Sequence, residues 1–177
     1  MTPPDAQRTA SRVVVSIRVH ATPVRAFEVF TSQIGAWWVP SDLLQLTPRS
    51  PGLLSFEPPD ASGEGGRLIE TLPNGRVFEV GAIRRWLPGE SVVLGWRQAS
   101  FGPEHHTEVE IRFEPVDGQT RVTIEHRGWD SLPQEHVARH GFPLPVFLQR
   151  QGEQWKSGLA AFAAILAHLP VLERTED

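Results

Sequence analysis

Apolar and polar residues alternate along several short stretches of this chain, which is the pattern of strands with one buried face. In VVVSIRV at 13–19 every second residue is valine or isoleucine, so a half-buried strand is predicted there. The threonine–proline pair at 22–23 is typical of a helix start, because a capping residue precedes a proline that suits the first helical position. IGAWW at 34–38 predicts a second short helix or turn, which Pro40 ends.

Between residues 51 and 127 the pattern is that of six more strands. Pro73-Asn74-Gly75 and Asp117-Gly118-Gln119 each separate two of them and are strong hairpin signals. Short strands joined by tight turns predict an antiparallel meander. The six segments read LLSFE, RLIETL, RVFEVGAIRRWL, SVVLGWRQ, TEVEIRFEPV and TRVTIEH.

A long helix is predicted near the end of the chain, from about Leu148 to Leu169. Trp155, Leu159, Phe162 and Leu166 recur there at helical spacing and form one apolar stripe. The whole pattern predicts an α+β fold. A curved seven-stranded antiparallel sheet wraps around the C-terminal helix, two short helices follow the first strand, and a hollow is left between helix and sheet.

The length of 177 residues is that of one domain, predicted at 13–170 between a disordered tail at 1–12 and a C-terminal tail at 171–177. The absence of cysteine excludes disulfides, thiol catalysis and thiolate metal sites. A net charge of −4 without a basic stripe argues against a nucleic-acid partner. No apolar run approaches the roughly 20 residues of a membrane span, and no secretory signal is present, so a cytoplasmic location is expected.

Strand alternation places one histidine on an apolar face. In TRVTIEH the inward set ends at His126, which is a candidate hydrogen-bond partner for a ligand or a general base; the alternative is a structural histidine bonded to its neighbours. By the same alternation Trp96 points into the hollow and Gln98 lies near its mouth. His136 and His140 are four residues apart, but the segment is bounded by prolines and offers no third ligand, so solvated histidines and no metal are expected.

The strand that contains Gly81 has no single apolar face. If Gly81 marks a bulge, Arg84 or Arg85 turns inward to meet an anionic group; otherwise both are surface residues. No dinucleotide, phosphate-loop or nucleophile-elbow motif is present, so no cofactor is expected.

Trp37 and Trp38 are adjacent and cannot both face one surface. Either both are structural, or one packs in the core while the other lines the cavity mouth. Trp38 is favoured for the mouth, because Trp37 follows the small Ala36, which could sit on the core side.

The order of these features resembles the helix-grip fold of the START and birch-pollen-allergen superfamily. More closely it resembles bacterial relatives of the C-terminal domain of the activator of heat-shock protein 90 ATPase. The resemblance runs from about residue 12 to 169. It rests on the first strand with Thr22-Pro23, the Trp37-Trp38 pair, Gly65-Gly66, Gly81, Trp96, TRVT at 120–123, HRGW at 126–129 and Trp155.

Relatives on this fold bind lipids, sterols or polyketides, some cyclise polyketides, and some bind protein partners. The resemblance therefore implies binding of a small hydrophobic ligand, of lipid, polyketide or aromatic type, in the cavity between the last helix and the sheet. One alternative is a cyclase, dehydratase or hydrolase that uses His126, and the sequence does not decide whether the protein is an enzyme. Another is an interaction module with a chaperone or a second copy as partner. The sequence contains no pattern that marks such an interface. The predicted cavity wall consists of Phe27, Trp38, Phe78, Trp96, Val109, Ile111, Phe113, Ile124, His126, Trp155, Leu159 and Phe162.

Overall fold

Seven antiparallel strands form one sheet in the computed structural model, which describes residues 11–48 and 52–170. The strands are β1 (Val13–Val19), β2 (Leu53–Glu57), β3 (Arg67–Thr71), β4 (Val77–Leu87), β5 (Ser91–Trp96), β6 (Thr107–Val116) and β7 (Gln119–Arg127). Their order across the sheet is β1-β7-β6-β5-β4-β3-β2, so a meander is completed when the first strand pairs with the last. The predicted strand number and fold class are confirmed.

Three α-helices accompany the sheet: α1 (Pro23–Ser32), α2 (Ile34–Trp37) and α3 (Leu144–His168). The helix α3 begins four residues before the predicted start at Leu148. Its prolines had suggested irregular chain, but Pro143 lies at the cap and Pro145 in the first turn, where a missing N–H costs no hydrogen bond. Three 3₁₀ turns, Asp42–Leu44, Trp129–Ser131 and Val137–Arg139, lie in the loops. The predicted tails fall on residues 1–10 and 171–177, which lie outside the described residues, and on Ser11 and Arg12.

The close crossing of β4 and β5 depends on a glycine. A Cβ on Gly81 would lie 1.6 Å from the carbonyl oxygen of Gly95, so no other residue fits. The pairing of β3 with β4 shifts register opposite Gly81, which is the bulge that the sequence suggested. Arg84 and Arg85 nevertheless both stay on the outer face, where they are exposed.

The helix α3 fills the inside of the curved sheet, and the apolar stripe that the sequence predicted is buried. Leu159 and Phe162 are 1% and 0% exposed. The inward faces of β6 and β7 are also buried as predicted. No helix in the described ranges is long and apolar enough to cross a membrane.

The outer face of the sheet carries interlaced ion pairs. Arg127 contacts Glu108, and its Nη1 lies 3.0 Å from a carboxylate oxygen of Glu110. Burial raises the pKa of Glu125, but hydrogen bonds from Arg112 and Arg12 outweigh that effect and leave the pKa below its ordinary value. Alternation along the strands thus places the charged side chains on the outer face of the sheet, and the inner face is left for the candidate site.

Candidate functional site

Five ring side chains meet where β5 and β7 end and the first half of α3 passes across the sheet. We call them the aromatic box: Trp38, Trp96, His126, Trp129 and Trp155. The Trp96 ring centroid lies 5.4 Å from that of Trp38 and 5.5 Å from that of Trp155. The His126 ring lies 4.6 Å from Trp129 and 5.7 Å from Trp96. Two strands, one helix and two loops therefore contribute to one cluster.

His126 is fully buried, and both of its ring nitrogens are hydrogen-bonded. Trp155 Nε1 donates to His126 Nδ1 at 3.3 Å. His126 Nε2 lies 3.0 Å from the hydroxyl of Thr107, which itself donates to the Trp96 carbonyl, so the proton between them belongs to Nε2. Desolvation lowers the pKa of His126 to about 3, so the ring is neutral at physiological pH. No ring nitrogen is left for a general base, and the bonding is that of a structural histidine.

The space enclosed between α3 and the sheet is small. Among the described residues it measures about 10 Å³, which is room for about one water molecule. Aromatic side chains therefore fill the hollow that the topology suggested. The space is bordered by Phe30, Ile34, Trp37, Phe56, Leu68, Leu94, Trp96, Val109, Ile111 and Trp155.

Two larger pockets lie outside this space, at the end of the sheet nearest the aromatic box; we call this end the mouth. The mouth pocket has a volume of about 290 Å³. Beside it, along α3, the helix pocket has a volume of about 440 Å³, and both are lined by His140. The mouth pocket is lined by Gln45, Leu46, Pro48, Gln98, Ala99, Ser100, Val137, Ala138 and His140. The helix pocket is lined by Ser41, Leu43, His140, Phe142, Arg150, Glu153, Gln154 and Ser157.

Buried polar atoms without a hydrogen-bond partner in the protein lie on and around the aromatic box, at the same end of the sheet as the mouth. In the described part of the chain there are six, and they belong to the residues that we call the unpaired polar cluster: Trp96, Gln98, Trp129, Arg139 and Gln151. Both amide atoms of Gln151 are unpaired, although its side chain is fully buried one helical turn before Trp155. Buried polar groups in native proteins nearly always have a partner, and these atoms find none among the described residues.

Comparison with known proteins agrees with the fold. Residues 20–166 match the family model described as "Activator of Hsp90 ATPase homolog 1-like protein". The chain belongs to this family. The resemblance inferred from the sequence is thereby confirmed, and membership supports a ligand-binding or interaction module in general.

Individual members of the Activator of Hsp90 ATPase homolog 1-like family are distant from this chain. A mouse protein named "Activator of 90 kDa heat shock protein ATPase homolog 2" is 23% identical over 133 residues, which are 72% of this chain and 37% of that protein. The chain thus spans little more than a third of that relative.

Solved structures share the fold at low identity, as two of them show. The Aha1 dimer from Colwellia psychrerythraea has 18% identity and a TM-score of 0.56, covering 88% of this chain and 95% of that one. DynU16, a putative protein in the dynemicin biosynthetic locus, has 16% identity and a TM-score of 0.57, covering 89% of this chain and 48% of that one.

In this family member Trp37, rather than Trp38, borders the interior space. Trp37 is fully buried, and its Nε1 donates to the Phe30 carbonyl at 2.9 Å. The expectation that Ala36 faces the core is wrong: Ala36 is exposed, and Ile34 and Trp37 turn inward together. Trp38 is partly exposed and covers Trp96 and Trp155.

The predicted wall residues divide into three groups. Trp96, Val109, Ile111 and Trp155 border the interior space. Trp38 and His126 belong to the aromatic box, and Phe78 is partly exposed beneath Arg97. Phe27, Phe113, Ile124, Leu159 and Phe162 are buried core residues that line none of the three spaces described above.

Gln98 lines the mouth pocket as predicted, but its other walls come from loops that carry no periodic signal. His136 is not a solvated histidine. It caps a 3₁₀ turn by accepting from the Ala138 N–H, while its Nε2 lies 3.0 Å from the Ser100 carbonyl. Because that turn is too short to be a helical face, His136 and His140 do not converge. Nowhere in the described ranges do three or more potential ligand side chains form a metal site.

Proposed function

We propose that this protein binds a small, mostly apolar molecule that also carries hydrogen-bonding groups, with the mouth as its site. The unpaired polar cluster is the observation that carries the proposal. Its atoms include N–H donors from Trp96 and Trp129 and both a donor and an acceptor on Gln151. Apolar walls with a few inward polar groups are the composition of small-molecule sites.

The energetic cost of the cluster supports a binding role. A buried donor or acceptor without a partner costs about 1–3 kcal/mol. The combined cost of several such atoms approaches the whole free energy of unfolding of a domain, which is about 5–15 kcal/mol. Pairing by ordered water would recover part of this cost, and a ligand that also covers the rings would recover more.

The small interior space supports a ligand position outside it. A molecule larger than water does not fit between α3 and the sheet, so the ligand lies in the mouth pocket and reaches the aromatic box by displacing Trp38. Trp38 is suited to being displaced because it is partly exposed and follows the last residue of α2. The next residue, Val39, is tied to α3 by a single exposed hydrogen bond, from Gln154 Nε2 to the Val39 carbonyl at 3.3 Å.

The first experiment is native mass spectrometry of freshly purified protein, compared with the denatured mass. An excess mass that disappears on denaturation identifies a carried ligand. If the purified protein carries no ligand, it is titrated with the neutral apolar dye N-phenyl-1-naphthylamine, and saturable binding is expected. An empty protein that also fails to bind the dye would contradict the proposal.

The substitution Gln151→Leu tests whether the unpaired amide of Gln151, rather than general hydrophobic attraction, contributes to binding at the mouth. Because it removes two unpaired atoms at similar side-chain volume, the free energy of unfolding should stay equal or rise. Binding of the carried ligand, or of the dye if the protein is empty, should change by several-fold. The matched control is Gln149→Leu, since Gln149 lies on the exposed side of α3. Identical binding by both variants would remove Gln151 from the site.

The two alternatives have less support. A base-catalysed mechanism through His126 needs a free ring nitrogen, and both are occupied. A protein-docking face needs contiguous exposed apolar area. The exposed large apolar residues of the described chain are scattered, apart from Leu53 and Val77, which flank Thr71 in neighbouring strands.

A further inference from the structure

We propose that the ligand of the mouth carries a carboxylate and that the buried guanidinium of Arg139 recognises it. The inference rests on the proposed function and narrows it, from apolar molecules with polar groups in general to small apolar acids.

Arg139 is an unusual arginine because its side chain is almost entirely buried. The residue is 4% exposed. Its Nη1 donates to the Leu132 carbonyl at 2.9 Å, and its Nη2 donates to the Phe142 carbonyl at 2.7 Å. These bonds hold the guanidinium in place and leave three of its five N–H groups free, including the buried Nε–H, which has no partner.

Within the described part of the chain, the charge of Arg139 has no counter-ion. Of the carboxylates in the described residues, none has an oxygen within 4.0 Å of its nitrogens. Burial lowers the pKa of the guanidinium, and the exposed Glu135 opposes that shift through space without reversing it. Arginine nevertheless keeps its proton in proteins, so this buried positive charge faces two carbonyl oxygens and the Phe147 ring, whose centroid is 5.3 Å from the Arg139 Cζ, but no anion.

The mouth pocket lies beside the chain segment that carries Arg139. Ala138 and His140, which flank Arg139 in the chain, both line it. Gln98 lines it as well and has a buried, unpaired Nε2 that is a second donor for an anion. None of the lining residues is acidic, and Leu46 and Val137 provide apolar wall. The pocket therefore suits a ligand with an apolar body that ends in a carboxylate. The two oxygens of a carboxylate can accept hydrogen bonds from the planar guanidinium of arginine.

A volume of about 290 Å³ lies at the lower end of the range for ligand pockets, so the body is short. Octanoate and 1-octanol are a suitable probe pair, because they share the chain and differ in charge. Isothermal titration calorimetry of each against the wild-type protein measures the contribution of the carboxylate directly.

Octanoate should bind at least about tenfold more tightly than 1-octanol, as expected for a charge-assisted hydrogen bond in a buried site. The variant Arg139→Gln should lose this preference and retain the affinity for 1-octanol, which also shows that its pocket is intact. The matched control is Arg18→Gln, which removes the same charge from an exposed arginine near the end of β1 remote from His126 and the mouth. This control should keep the preference for octanoate.

Arg139 also positions a loop, so its variant could fail to fold. Nuclear magnetic resonance of the wild-type protein then decides: the Arg139 Nε–H signal should shift with octanoate and stay in place with 1-octanol. Equal affinity for both probes, or an unmoved Nε–H signal on octanoate binding, would overturn the role of Arg139. If neither probe binds while N-phenyl-1-naphthylamine does, the carboxylate is refuted and the proposed function stands. If the dye fails as well and the protein arrives empty, the proposed function itself is refuted.

Discussion

At the scale of single residues, the side chain with the clearest consequence is His126. Its folded pKa of about 3 lies below the unfolded value of 6.5, so the native state stays neutral where the unfolded chain takes up a proton. Above about pH 7 the group has no effect on stability. As the pH falls from 6.5 towards 3, it should lower the free energy of unfolding by about 1.4 kcal/mol per pH unit.

Urea denaturation of wild type and His126→Gln across this pH range isolates the effect, because the other titrating groups are common to both proteins. The variant should show the shallower loss of stability on acidification. Parallel pH profiles would mean that His126 takes up a proton in the folded protein.

The adjacent tryptophans should respond in opposite ways to truncation. Trp37→Ala removes a fully buried ring that packs on Phe30 and Gly158, and should cost about 3–5 kcal/mol of stability. Trp38→Ala should cost less and increase binding of N-phenyl-1-naphthylamine, because it uncovers Trp96 and Trp155. Thermal unfolding and dye titration of both variants test this. Reduced dye binding by Trp38→Ala would make Trp38 part of the site rather than its cover.

At the scale of elements, two glycines have opposite roles. Gly81→Ala places a methyl group against the backbone of β5, 1.6 Å from the Gly95 oxygen, and should cost about 3 kcal/mol or more or prevent folding. Gly152 lies inside α3, and a Cβ there would meet Val13 at an ordinary 3.6 Å. Gly152→Ala should therefore stabilise the protein by up to about 1 kcal/mol. Chemical denaturation checks both, and a tolerated Gly81→Ala would contradict the close crossing.

The elements were largely predictable from the sequence because each strand has one buried face and each hairpin a turn signal. The start of α3 was not, since Pro143 and Pro145 suit both a loop and a helix N-terminus. The mouth, apart from Gln98, could not be predicted from the sequence either, because its walls come from loops without a periodic pattern. Glutamine and arginine are usually exposed, so the burial of Gln151 and Arg139 follows only from the way α3 and the loops meet.

At the scale of the whole molecule, β1 completes the sheet by pairing with β7, which joins residues more than a hundred positions apart, such as Val13 and His126. One hydrophobic core connects α1, α3 and the sheet. Unfolding in urea should therefore be a single transition, with coincident midpoints for far-ultraviolet circular dichroism and tryptophan fluorescence. Separate midpoints would indicate that the mouth loops melt on their own.

The aromatic box also makes the protein its own optical reporter. The chain has six tryptophans and no tyrosine, so its near-ultraviolet absorption belongs almost entirely to indole. Four of the six belong to the aromatic box, and the rings of Trp38, Trp96 and Trp155 are close enough for their excited states to couple. Displacement of Trp38 would break two of these ring contacts at once. Occupancy of the mouth should then be readable without a label, as a loss of exciton circular dichroism and a shift in emission.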